Sequence, residues 1–127
     1  MALVLIVDDD EMSQTLLGVI LERAGHSVMK ASDGGTALDM AYAAPPDLAI
    51  IDETMPRMSG VELTRQIKQN PQTTHIPVIM TSAGMFVDGG STLMQQTGAD
   101  AVLLKPWLKS DLERMIQVFL DETGEKR

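Results

Sequence analysis

The sequence has 127 residues, 44% hydrophobic and 22% charged, which suits one globular domain with a real core and not a disordered chain. Ten basic residues against 18 acidic ones leave a net charge of -8, which argues against nonspecific binding to nucleic acid or to an anionic membrane. The absence of cysteine excludes disulfides, a thiolate zinc site and a cysteine nucleophile, and no apolar run approaches the ~20 residues of a membrane span.

Met1–Asp10 is too short and too acidic for a signal peptide, so a cytoplasmic domain is expected. Leu3–Val7 is an apolar run of strand length. Met12, Leu16, Leu17, Ile20, Leu21 and Ala24 follow at helical spacing, with Gly25 placed to end the helix. Ser27–Ala31 alternates more, which predicts an edge strand. Asp33 or Ser32 caps a helix over Thr36–Ala43, which Pro45 and Pro46 end. Leu48–Ile51 is the third strand, Ser59–Gln69 the third helix, and Val78–Thr81 the fourth strand. The glycines of Gly84–Ser91 predict a mobile loop and a late, weak fourth helix, since each glycine costs a helix roughly 1 kcal/mol. Ala101–Leu104 is the fifth strand. Ser110 to Glu113 reads as a capping box, with Met115, Ile116 and Phe119 on one face beyond it. Asp121–Arg127 reads as a frayed polar tail.

Five strand–helix units predict an α/β fold, a doubly wound five-stranded parallel sheet with helices on both faces. Runs one, three, four and five are nearly all apolar, as strands buried on both faces should be, and the second belongs at an edge. This is compatible with the flavodoxin-like strand order 2-1-3-4-5.

Ligands in such sheets bind beyond the carboxyl ends of the strands. Reading those ends gives Asp8, Asp9 and Asp10, then Asp52, Ser82 and Lys105, which meet at one rim. Carboxylates gathered there repel by roughly 4 kcal/mol per pair at 4 Å and an effective dielectric of 20. Lys105 supplies one positive charge, and oxygen ligands without histidine or cysteine suit magnesium for the remainder. A carboxylate nucleophile, a hydroxyl, a lysine and magnesium make a site for phosphoryl transfer to aspartate.

Four blocks carry a resemblance. Leu-Ile-Val-Asp8-Asp9-Asp10, Asp52-Glu-Thr-Met-Pro-Arg-Met-Ser-Gly60, Pro77-Val-Ile-Met-Thr-Ser82-Ala83 and Leu-Leu-Lys105-Pro106 resemble the receiver domain of two-component response regulators, in the family's order. The likeness assigns residues 1–122 to a single-domain, chemotaxis-type receiver and leaves residues 123–127 as a short tail. It implies that Asp52 accepts a phosphoryl group from a phosphohistidine. It further implies that Asp8, Asp9, Asp52 and the backbone carbonyl of Thr54 hold Mg2+, that Ser82 and Lys105 engage the phosphoryl group, and that the Lys105–Pro106 bond is cis. The implied partners are a histidine kinase or a histidine phosphotransfer protein, and a downstream protein target or fused output domain. Read-out is expected on the face of helix four, strand five and helix five. Such a chain is a signalling switch and not an enzyme, although it assists its own phosphorylation and dephosphorylation. It works by docking, or it is one domain of a longer protein.

Each residue also has a plainer reading. Asp10 is best placed as a helix cap and stays out of the site. Thr81 is the rival hydroxyl, which alternation turns away from the face of Ser82. Met12, Met40, Met80 and Met115 fit core stripes, Met85 and Met94 an exposed surface, and His26 and His75 surface loops. Met55, Pro56 and Gly60 read as a rigid loop and a helix start. Trp107 either lies beside the output face or packs on helix five. Val102 departs from the family, which carries Tyr or Phe there, so the signal is expected to run through the Gly84–Ser91 loop and helix four. Two other classes compete. A haloacid dehalogenase-type phosphatase would use Asp8 as nucleophile, but Met12 replaces its Thr or Val and no acidic pair follows Lys105. A scaffold receiver that is never phosphorylated has only Val102 in its favour. A flavin module is rejected, because three aspartates would repel its phosphate.

Overall fold

The computed structural model describes residues 1–84 and 90–120. The strands are β1 (Leu3–Val7), β2 (Ser27–Ala31), β3 (Leu48–Asp52), β4 (Val78–Ser82) and β5 (Ala101–Leu104). The helices that alternate with them are α1 (Glu11–Arg23), α2 (Gly34–Ala43), α3 (Gly60–Gln69), α4 (Ser91–Thr97) and α5 (Lys109–Phe119). All strand pairs are parallel and the order is β2-β1-β3-β4-β5. The partly exposed β2 takes the edge beside β1, while β3 and β4 are buried throughout.

Strand alternation builds two cores. Val4, Ile6, Leu48, Ile50, Ile79 and Leu103 face one layer, where α1 supplies Leu17 and Leu21 and α5 supplies Leu112 and Ile116. Leu5, Val7, Ala49, Ile51, Met80 and Val102 face the other, where α2, α3 and α4 bring Ala37, Leu63, Ile67 and Leu93. Fully burying a side chain of this size contributes roughly 1.5–3 kcal/mol, and both layers depend on the same sheet. Trp107 joins the first core beside α1 and α5, which settles its placement.

Several expectations are corrected. Met12 is 80% exposed and Leu16 53%, and Ala24 is exposed as well. The inward arc of α1 is instead Gln14, Leu17, Ile20 and Leu21. That helix is apolar on two sides, and a 3.6-residue period marks apolar stripes without saying which one meets the sheet. Ser110 does not open a capping box. The carbonyl of Leu108 already accepts from the Asp111 and Leu112 amides at 3.0 and 3.2 Å, so α5 has begun before Ser110 and no side chain caps it. Met94 is half-buried against the second core rather than exposed. His26 is not a free surface residue, because its Nδ1 accepts the Ala2 N–H at 3.2 Å.

Asp33 caps α2 by accepting the Thr36 N–H at 2.8 Å, and α4 is short and late as expected, preceded by Gly90 at φ +95°. A Cβ on Gly90 would lie 2.9 Å from the Cβ of Val102, so the start of α4 rests directly on that valine. The Met85 expectation, most of the Gly84–Ser91 loop and the tail beyond Leu120 lie outside the described residues. No helix among the described residues is long and apolar enough to cross a membrane.

Candidate functional site

The rim at the carboxyl ends of β1, β3 and β5 is set by strand parity. Asp8, Asp52 and Lys105 each follow by two residues a side chain of the first core, namely Ile6, Ile50 and Leu103. All three are therefore aimed to the same side. Lys105 Nζ lies 3.2 Å from Asp52 Oδ1 and 3.9 Å from Asp8 Oδ2. Carboxylate oxygens of Asp8, Asp9 and Asp52 lie within 4.8 Å of one another. Asp8 and Asp52 are buried and Asp9 is exposed.

Backbone bonds carry the sheet ladder out to this rim. Glu53 N–H donates to the Thr81 carbonyl at 2.8 Å, and Lys105 N–H to the Ser82 carbonyl at 2.7 Å. Asp8 Oδ1 accepts the Asp10 N–H at 2.9 Å. Asp10 caps α1 as expected, accepting from the Met12 amide and the Ser13 hydroxyl. The Lys105–Pro106 peptide bond is cis. Thr54 sits two residues past Asp52 on the exposed part of the loop.

Burial and like charge set the electrostatics of the cluster. Burial pushes the Asp8 carboxyl above the ordinary aspartate range, the Asp10 N–H opposes this, and the Asp52 charge adds to it. Lys105 balances one of three carboxylates, which leaves a net charge near -2 in a rim with oxygen donors only. Such a donor set fits a hard divalent cation and offers nothing to a soft one.

Ser82 stands apart from this cluster. Its hydroxyl donates to Glu53 Oε1 and its oxygen accepts the Gly84 N–H at 3.0 Å, so its single proton is not directed at Asp52. Thr81 is buried and lies in register with Asp52 across β3 and β4.

Three supporting residues were missed from sequence. Gln14 is buried under the rim, and its Nε2 lies within hydrogen-bond reach of the Asp8 carbonyl, the Ala31 carbonyl and the Ser32 hydroxyl. Its signal was a polar side chain on the buried arc of a helix. Glu53 was visible only as an acidic residue inside a quoted block. Gly60 is more than a helix start: a Cβ there would fall 1.9 Å from the Asp52 carbonyl oxygen, so α3 packs against the backbone of Asp52 only because this residue is glycine.

Comparison with known proteins agrees with this arrangement. Residues 4–117 match the family model of the response regulator receiver domain. The chain is 34% identical over 117 residues to the alkaline phosphatase synthesis transcriptional regulatory protein PhoP of Bacillus subtilis, covering 92% of this chain but 48% of that protein. It thus spans about half the length of that relative. It is 34% identical over 103 residues to the polar-differentiation response regulator DivK of Brucella anthropi, covering 81% of this chain and 83% of DivK. The chemotaxis protein CheY4 of Vibrio cholerae superposes with a TM-score of 0.84 at 31% identity, over 92% of this chain and 97% of CheY4. The strand order is shared with these structures, and the chain belongs to the receiver domains of two-component response regulators, which serve phosphorylation-controlled signalling.

Proposed function

We propose that Asp52 is the phosphoacceptor and that the domain, residues 1–122, is a switch thrown by its modification. The observation that carries this reading is the Lys105 ammonium 3.2 Å from Asp52 Oδ1 in a rim shared with Asp8 and Asp9. In the transfer, an Asp52 carboxylate oxygen attacks the phosphorus of a phosphohistidine. The phosphorus–nitrogen bond breaks, the imidazole leaves with the bond electrons, and an acyl phosphate forms on Asp52. Lys105 moves from pairing with the carboxylate to pairing with the phosphoryl oxygens, where it offsets charge that develops in the transition state. Asp8, Asp9, Asp52 and the Thr54 carbonyl would hold Mg2+. When bound, this ion supplies charge neutralisation for the incoming phosphoryl group. Ser82 then turns its hydroxyl to a phosphoryl oxygen.

The donor is a histidine kinase or a histidine phosphotransfer protein, and the chain acts as a cytoplasmic switch rather than as an enzyme. The read-out face is α4, β5 and α5, where Leu104 and Val118 are exposed beside Pro106 and Arg114. The modification adds about -1.5 to -2 charge at the rim, enough to reorder the groups that face it. Its reader is a downstream protein or a fused output domain.

The test is incubation with acetyl phosphate, with and without magnesium, followed by intact mass, with Asp52→Asn in parallel. One magnesium-dependent phosphate that vanishes in the variant supports the assignment. Label that survives in Asp52→Asn sinks it and moves the acceptor to Asp8, as the phosphatase reading requires.

A further inference from the structure

Ser82 has one hydroxyl proton, and in this structure it goes to Glu53. Parity explains the pairing. Glu53 and Ser82 follow Ile51 and Met80 by two residues, and both of those face the α2–α4 core, opposite the side shared by Asp8, Asp52 and Lys105. Glu53 is also held rigidly. Its N–H donates to the Thr81 carbonyl at 2.8 Å, and its own carbonyl accepts the Gly60 N–H at 2.9 Å. The carboxylate is thus a charged acceptor, fixed by β4 and the start of α3, and it engages the hydroxyl that the proposed function turns toward a phosphoryl group on Asp52. Hydrogen bonds to ionised acceptors are about twice as strong as neutral ones, so this partner is not displaced for nothing.

We infer that Glu53 is a positioning residue that competes with the phosphoryl group for the Ser82 hydroxyl, and so sets how much phosphoryl-bound protein reaches the switched arrangement. The inference rests on the reading of Asp52 as acceptor. Both rivals are anionic acceptors and there is one donor between them, so occupancy of one arrangement is loss of the other.

The test titrates beryllofluoride, a phosphoryl mimic, into the full chain with magnesium present, read by fluorescence of Trp107, the sole tryptophan, two residues after Lys105. Glu53→Ala should lower the half-saturating concentration about tenfold, which corresponds to about 1.4 kcal/mol. Glu53→Gln keeps a weaker neutral acceptor and should fall between Glu53→Ala and the parent. In a Ser82→Ala background the Glu53→Ala effect should shrink below about twofold, because the contested donor is gone. An unchanged titration in Glu53→Ala overturns the inference. So does a tenfold effect that persists without the Ser82 hydroxyl, since that reports charge repulsion through space. Acetyl phosphate labelling of the same proteins separates the two failures. Asp52-dependent label with indifferent Glu53 variants sinks the competition alone, whereas no Asp52-dependent label overturns the acceptor assignment and the competition with it.

Discussion

Replacing Asp8 with asparagine should stabilise the metal-free protein. The side chain is nearly isosteric and keeps an oxygen for the Asp10 N–H, which Asp8 Oδ1 accepts at 2.9 Å, so the change removes charge and little else. At an effective dielectric of about 20, repulsion from Asp52, whose carboxylate lies within 4.8 Å, is at least roughly 3.5 kcal/mol, and attraction to Lys105 across 3.9 Å is roughly 4 kcal/mol. These nearly cancel, and burial of a residue only 2% exposed decides the sign, in keeping with its raised pKa. Because the rim opens to water, screening brings the net gain to about 1 kcal/mol, or a few degrees of Tm for a domain of this size. The folded state holds the Asp8 proton more tightly than the unfolded chain does. The ionisation penalty therefore grows as pH rises from the unfolded value of 3.8 through the raised folded value, and it is complete above that. Thermal unfolding in chelator at pH 7 should show the variant more stable, with the advantage gone below about pH 3.8. Saturating magnesium should reverse the order, since an ion present at 100 times its Kd adds about 2.7 kcal/mol to the protein that binds it. A variant less stable than the parent in chelator at pH 7 would refute the electrostatic account.

Three further outcomes follow from the packing. Gln14→Leu should cost about 2–4 kcal/mol in urea unfolding, because it strips a donor from two backbone carbonyls near the rim. The same variant should weaken magnesium binding, measured by titration at neutral pH. Val102→Phe should destabilise by about 1–3 kcal/mol, since the start of α4 already rests on the valine and a ring has no room. An unaltered urea midpoint in that variant would show that α4 yields freely. His26, half-buried beside the N-terminal amine, has its pKa lowered by partial burial first and by that positive charge second. Below about pH 6.5 the unfolded chain binds a proton that the fold resists, so stability should fall as pH drops through that value, and His26→Gln should flatten the profile.

The rim was legible in the sequence because a strand buried on both faces leaves an unbroken apolar run, and the first polar residue after it marks the carboxyl end. Asp8, Asp52 and Lys105 were found that way, and the family resemblance then gave them roles. Direction was harder to read. The sequence shows that α1 is amphipathic, yet Met12 and Leu16 form one apolar stripe and Leu17 and Leu21 another, and only contact with β1 and β2 chooses between them. The Ser110 capping box is a local motif overruled by where the chain leaves β5.

Ser82 marks the boundary more finely. Its parity with Met80, and the parity of Glu53 with Ile51, can be counted from the sequence. Their meeting also requires the register of β3 on β4, in which Asp52 pairs with Thr81. No pattern within either strand encodes that offset. It arises when Ile50 lies beside Ile79 and Ile51 beside Met80, filling both cores at once. A one-residue slip would turn every apolar side chain of β4 to the wrong layer. The partner of the Ser82 hydroxyl is therefore fixed by the packing of the apolar residues that set the register of β3 on β4.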